Sequence, residues 1–355
     1  METLFTRSIE IILENQLPSG GYIASPHFNT YRYCWFRDGA FIAYSMDLVG
    51  EHSSAAGFHD WGARTLNQRA DLIKRAVDKG RLAIPLKANE ILHTRYTLDG
   101  DDGDEEWPNN QLDGFGTWLW VLGEHIRLDK RTLKKEWIRA AQLVASYIST
   151  FWKSPCFDCW EENPNKIHTY TLAAIYAGLR SHSAFSDADH NQTLNEIRDF
   201  LWDDCVVDGR FVKFVGTNIV DANLLGLAIP YRVIDLDDPT LQATVAEIEL
   251  KLRHGGGVHR YEKDTYYGGG EWILLAAWLG WYYNQIGEEI KAKNLQKWVE
   301  SHADSKGYLP EQIPVTLNDP SFYQPWRDRW GEIAKPLLWS HAKYLILSVI
   351  NSSRD

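Results

Sequence analysis

Apolar residues recur at three- and four-residue spacing along almost the whole chain, and strand-like alternation is scarce. A chain patterned this way buries its apolar faces chiefly by packing helix on helix. The spacing predicts twelve helices: Glu2–Asn15, Asp38–Val49, Ala55–Lys79, Asp113–Arg127, Arg131–Trp152, His168–Ser181, Asn191–Trp202, Ala222–Ile229, Thr240–Leu252, Glu271–Ile286, Glu289–His302 and Pro336–Ile350. Gly50, Gly80 and Gly287 stand just past apolar runs, where a left-handed cap favours glycine. Divided into six hairpins, the 355 residues give about 59 each, enough for two helices and one long loop. Short links alternate with long ones rich in Gly, Pro, Trp and carboxylates, and no Pro/Gly/Ser linker divides the chain. The expectation is an all-α fold in one domain over residues 1–355, an α/α toroid with inner and outer rings of helices.

Composition narrows the partners. A net charge of −11 with no basic stripe argues against nucleic acid. No run of about 18 uninterrupted apolar residues is present, so no membrane partner is expected. The N-terminus lacks a basic and apolar leader pattern, and only Cys34, Cys156, Cys159 and Cys205 occur, so a reduced, cytoplasmic setting is expected. Cys156 and Cys159 form a Cys-x-x-Cys, but no second ligand pair completes a zinc tetrad, and a structural reading is preferred. The 16 tryptophans are the unusual count. They suit either thick aromatic packing or a cleft that stacks flat ligands.

Five long loops carry the chemistry. Tyr31–Asp38 holds Tyr33, Trp35 and an Arg37-Asp38 pair, a forked donor and a two-oxygen acceptor suited to vicinal hydroxyls; a surface ion pair is the plainer alternative. Asp99–Glu106 has six acidic residues in eight, without the ligand order of an EF-hand, and reads as a solvated loop before Trp107, Gln111 and Asp113. Trp160-Glu161-Glu162 sets two carboxylates beside an indole, where apolar surroundings and a like charge raise a carboxyl pKa; a solvated pair is the alternative. His259–Trp272 contains Arg260, Tyr261, Asp264 and three glycines but no Lys-Ser/Thr, so it is no phosphate cradle; glycines that let a ligand approach the backbone are expected. Leu309-Pro310-Glu311-Gln312 offers one further carboxylate ahead of Trp339 and His341.

Together these stretches resemble the glucoamylase-type glycoside hydrolases of family 15, in order and spacing from Tyr31 to His341. The resemblance implies an (α/α)6 barrel. It implies Glu161 as general acid, Glu311 as general base, and Glu162 as a contact of the leaving sugar. Arg37 and Asp38 correspond to the pair that holds the terminal glucose, Trp107 to a subsite indole, and Arg260 with Asp264 to a sugar clamp. Tyr33, Trp35, Gln111, Asp113, Trp160, Tyr261, Trp339 and His341 join them as expected substrate contacts. The implied reaction is inversion across a carboxylate pair roughly 6.5–9.5 Å apart, with no metal or cofactor. The substrate expected is a short oligosaccharide. Neither the β-sandwich nor the starch-binding module common in this family is expected here, and the compact form resembles the family's isomaltose-type α-1,6-glucohydrolases. An α-1,4 or trehalose-type linkage, and a non-catalytic sugar-binding role, are the alternatives.

Overall fold

The computed structural model describes residues 3–130 and 133–353; the expected helix starts at Glu2 and Arg131 lie outside them. Thirteen α-helices are found among the described residues: α1 Leu4–Glu14, α2 Phe36–Leu48, α3 His52–Gln68, α4 Ala70–Arg81, α5 Asp113–Asp129, α6 Lys135–Phe151, α7 Thr169–Phe185, α8 Asn191–Asp204, α9 Pro239–Leu252, α10 Ile273–Gln285, α11 Glu289–Ser301, α12 Tyr323–Trp330 and α13 Leu338–Ser352. A 3-10 turn at Ala222–Leu227 takes the place of a further inner helix.

The inner ring runs α2, α5, α7, the 3-10 turn, α10 and α13, and closes where α13 packs against α2. Helices of an inner ring are covered on all sides, so they should be apolar all round. In α10 every residue from Ile273 to Asn284 is buried. The outer helices are amphipathic instead: α11 buries only Ala292, Leu295 and Val299. It covers α10 and α13, while α1 covers α13, α3 covers α2, and α8 covers α7. The expected (α/α)6 barrel is therefore the fold. Gly116 on α5 and Gly178 on α7 bring two inner helices close. A Cβ on Gly178 would lie 2.5 Å from the Gly116 carbonyl oxygen.

Local signals explain most boundaries. Asp238 accepts from the Thr240 and Leu241 N–H groups at 2.8 and 3.1 Å, and Pro239 opens α9. Gly50 and Gly287 follow α2 and α10 at φ +87° and +83°, as expected. Gly80 does not cap. It lies inside α4, where a Cβ would come within 2.5 Å of Thr150.

Three other expectations change. The single helix expected over Ala55–Lys79 is two, because Arg69 leaves helical geometry at φ −99°, ψ 17°. Its guanidinium donates to the Thr65 carbonyl and reaches Asp102 at 2.6 Å. The helix expected at Ala222–Ile229 is the short 3-10 turn, started by Asp221 accepting from Asn223 N–H. Helix α12 was not expected at all. Pro325 interrupts its sequence, and none of its residues is fully buried, so no apolar stripe marks it.

Two-residue antiparallel ladders pin the long loops. Cys34–Trp35 pairs with Arg95–Tyr96, and Glu271–Trp272 pairs with Gln312–Ile313. Among the described residues, no helix is long and apolar enough to cross a membrane. All four cysteines are free and buried, and burial pushes the Cys156 thiol up to about 12.

Candidate active site

One cavity of about 670 Å³ opens where the chain enters the inner helices. Its walls come from the segments preceding α2, α5, α7, α10 and α13, so positive helix ends surround it and favour carboxylates there. Trp35, Trp107, Trp160, Trp272, Trp326 and Trp339 all line it. The core, by contrast, takes Trp118, Trp120, Trp278 and Trp281. Trp202 is 38% exposed on α8 and belongs to neither group.

Glu161 projects from a tight turn. Asp158 Oδ1 accepts from the N–H groups of Trp160 at 3.0 Å and Glu162 at 2.8 Å, while the Asp158 carbonyl accepts from Glu161 N–H at 2.9 Å. This holds Glu161 at φ +66°, in the left-handed region that non-glycine residues seldom occupy. The Trp35 indole N–H donates to Glu161 Oε1 at 2.6 Å. Burial nevertheless pushes the Glu161 carboxyl up to about 7, against the opposing pull of Arg37 and the Trp35 bond. Glu162 points beside it, 3.2 Å from Arg260 and hydrogen-bonded by the Tyr261 hydroxyl.

Glu311 enters from the far side of the chain. Its Oε1 accepts from the Tyr31 hydroxyl at 3.1 Å, and Tyr31 is hydrogen-bonded in turn to Tyr266 at 2.9 Å. Its Oε2 is buried without a protein hydrogen-bond partner among the described residues. Burial pushes this carboxyl up to about 8, although Arg260 and the two tyrosines act to lower it. Two carboxyl groups thus face one cavity with pKa values near neutrality, the range in which one can give and the other take a proton.

Arg37 and Asp38 line the cavity as a pair 3.2 Å apart, and the guanidinium stacks 5.2 Å over Trp339. Burial raises Asp38 to about 6, against the pull of Arg37. Arg260 also lines the cavity, gripped at Nε by Asp264 at 2.7 Å and flanked by Trp160 and Trp272.

Six expected contacts stand behind the lining instead of in it. Gln111 accepts from Arg37 at 2.8 Å, and Asp113 lies 3.4 Å from the same guanidinium. Asp264 holds Arg260, and Tyr261 holds Glu162. Tyr33 lies under Arg95, which also stacks 3.6 Å from the Trp107 centroid. His341 is fully buried away from the cavity. Its Nε2 accepts from Leu309 N–H at 3.0 Å, which leaves the ring proton on Nδ1 for the Ser8 hydroxyl at 2.9 Å. It supports the Glu311 loop from below.

The acidic run is a solvated loop, as expected: all six of its carboxylate residues are exposed, though Glu105 reaches Arg95 at 2.7 Å and Asp102 reaches Arg69. The glycines before α10 differ from expectation. They admit neighbouring backbone, since a Cβ on Gly269 would lie 2.2 Å from the Asp264 carbonyl oxygen. Sequence reasoning passed over Tyr31 and Tyr266, and over Trp330 and Arg329 on α12. Tyr31 did stand at the head of the first aromatic loop, but its partner lies 235 residues away.

A ring of paired helices with a carboxyl pair and stacking indoles in one mouth defines a carbohydrate-processing barrel. The model of the glycosyl hydrolases family 15 matches residues 2–349, and the chain belongs to that family. An isomaltose glucohydrolase from Kribbella flavida is 38% identical over 98% of this chain and 92% of its own length. A solved glycosidase superposes with a TM-score of 0.94 at 36% identity, covering 98% of this chain and 96% of its own; a variant of a glycosidase in complex with glucose aligns equally well. A bacterial glucoamylase complexed with acarbose shares the fold at a TM-score of 0.73 and 18% identity, over 99% of this chain and 56% of its own. The protein is accordingly a glycoside hydrolase.

Proposed function

We propose that the protein is an inverting exo-α-glucosidase that releases β-glucose from short α-1,6-linked gluco-oligosaccharides such as isomaltose. The observation that carries this reading is the pair of carboxyls, half-buried Glu161 and buried Glu311, raised to about 7 and 8 in one aromatic cavity. Glu161 protonates the glycosidic oxygen as the C1–O bond breaks, and Glu311 takes a proton from the water that attacks C1 on the opposite face. Arg37 and Asp38 hold hydroxyls of the terminal glucose, and Arg260 with Glu162 meets the leaving sugar. The productive form has Glu161 protonated and Glu311 ionised. Because the base has the higher value, this form is a minority at every pH and is most abundant between the two values. The α-1,6 linkage is supported by the 38% identity to a protein named for isomaltose.

The test is a panel of isomaltose, panose, maltose, kojibiose, nigerose and trehalose read as glucose release, with the first product resolved by anomer in NMR. Isomaltose turned over fastest and β-glucose appearing first are expected. Initial α-glucose would remove the inverting mechanism, and preferred cleavage of maltose or trehalose would remove the linkage.

A further inference from the structure

The long loops do not account for one buried cation near the site. Lys213 is 3% exposed and does not line the cavity. Its ammonium sits 2.6 Å from Asp221 Oδ2 and 3.0 Å from Asp158 Oδ2, and 3.9 Å over the Tyr261 ring. Each partner is fully engaged. Asp158 spends Oδ1 on the N–H groups of Trp160 and Glu162, the residues on either side of Glu161. Asp221 accepts from Asn223 N–H at Oδ1 and from the Trp160 indole at Oδ2, the latter at 2.9 Å. Tyr261 carries its hydroxyl to Glu162. The Lys213 carbonyl accepts from Thr169 N–H at 3.2 Å, which ties the cation to the first turn of α7.

We propose that Lys213 is a positioning residue for proton donation: through Asp158 and Asp221 it fixes the turn that aims the Glu161 carboxyl. A buried ion network is weak evidence for stability, since apolar residues of similar volume often serve the fold as well. What this one supplies is orientation. Glu161 keeps its left-handed φ only while its surroundings over-determine it, and the contacts that do so end on one ammonium. The proposal rests on the glycosidase reading above.

Proton donation can be separated from the rest of the reaction by the leaving group. With isomaltose, the bonding pair of C1–O stays on a sugar oxygen, which needs the Glu161 proton. With α-glucosyl fluoride, the C1–F pair leaves as fluoride and needs no full protonation, while attack of water still needs Glu311. The experiment compares kcat and KM of the wild type and Lys213→Met on both substrates. On isomaltose kcat should fall on the order of 10²-fold, the scale of a misplacement of about 1 Å, with KM little changed. On the fluoride kcat should fall less than about threefold, since the proton-donating contribution of roughly 10²–10⁴ is not used there. Equal losses on both substrates would make Lys213 a scaffold residue only, and no loss on either would remove the proposal. Asp158→Asn is the second variant, for the case in which Lys213→Met does not fold. It keeps an oxygen for the Trp160 and Glu162 N–H groups and breaks only the contact with the cation. The same split in smaller measure is expected, and equal losses on both substrates overturn the proposal. A wild type inactive on every α-glucoside and on the fluoride would instead defeat the glycosidase reading.

Discussion

The two carboxyl groups face the same cavity but are held in opposite ways. The Glu161 turn is gripped by formal charges, with Asp158, Lys213 and Asp221 buried behind it. The Glu311 loop is gripped by neutral groups. Tyr31 donates to its carboxyl, the Ala334 carbonyl accepts from its backbone N–H at 2.9 Å, and Ser340 and His341 bond Pro310 and Leu309 just before it. Charges fix a strained turn firmly because breaking one partner strands another in a low dielectric. Burial pushes both carboxyls up, and in each the largest opposing pull is a nearby guanidinium, Arg37 for Glu161 and Arg260 for Glu311. On the proposed roles, the charged network serves the aim of the proton donor, and the neutral bonds seat the base.

The sharpest way to break this comparison is to remove the carboxyls themselves. Glu161→Gln and Glu311→Gln should each lower kcat on isomaltose by at least about 10²-fold with the helical circular dichroism unchanged. On α-glucosyl fluoride only Glu311→Gln should stay inactive; equal recovery of both would dissolve the division of labour.

Tyr31→Phe comes next. It deletes a hydrogen bond to a charged acceptor, a contribution of about 1.5–3 kcal/mol, so activity near neutrality should fall roughly 10- to 100-fold. The hydroxyl favours the ionised carboxyl, so its loss moves the Glu311 ionisation above about 8. Because the base lies above the acid, the alkaline limb of the kcat/KM profile should shift to higher pH as the maximum falls, and an unshifted limb would separate Tyr31 from Glu311.

The third prediction concerns stability. Between the ordinary carboxyl value of 4.5 and about 8, the folded protein keeps a proton on Glu311 that the unfolded chain has released. Wild-type stability therefore drops as pH rises through that window, and the loss is complete above it. Glu311→Gln escapes this. It should melt at a higher temperature than the wild type at pH 8.5 and lose most of that advantage at pH 5; an advantage independent of pH would contradict the raised value.

The smallest effect is expected at His341→Phe. It leaves the buried Leu309 N–H unpaired, which costs about 1–3 kcal/mol in urea unfolding. Because His341 lies behind the loop, KM for isomaltose should stay within about twofold while stability falls. A large rise in KM would return His341 to the substrate.

How far the sequence led can be judged residue by residue. Trp35, Trp107, Trp160 and Trp339 were expected as substrate contacts, and they line the cavity, because aromatic residues in long loops of a helical chain have no core of their own to join. His341 was placed with Trp339 by proximity. On a helix, two residues apart means roughly 200° of rotation, so when the indole faces the cavity the imidazole faces the outer layer. Lys213 carried no motif, and its two aspartates lie 55 and 8 positions away in different loops. Such a triad exists only once the chain has folded. Helix α12 failed for a simpler reason: an exposed helix containing Pro325 has no periodic apolar face to read.

The closure of the inner ring has a consequence in time. Helices α2 and α13 lie side by side, yet about 290 residues are synthesised between them. At roughly 5–20 residues per second, the first inner helix emerges many seconds before the neighbour that completes its packing. Until then the apolar flank of α2 is exposed on a nascent chain, and Trp339 has not been made. The ring cannot close, nor the cavity gain its last wall, until the ribosome has delivered α13, so late misfolding and chaperone capture should concentrate at this one seam.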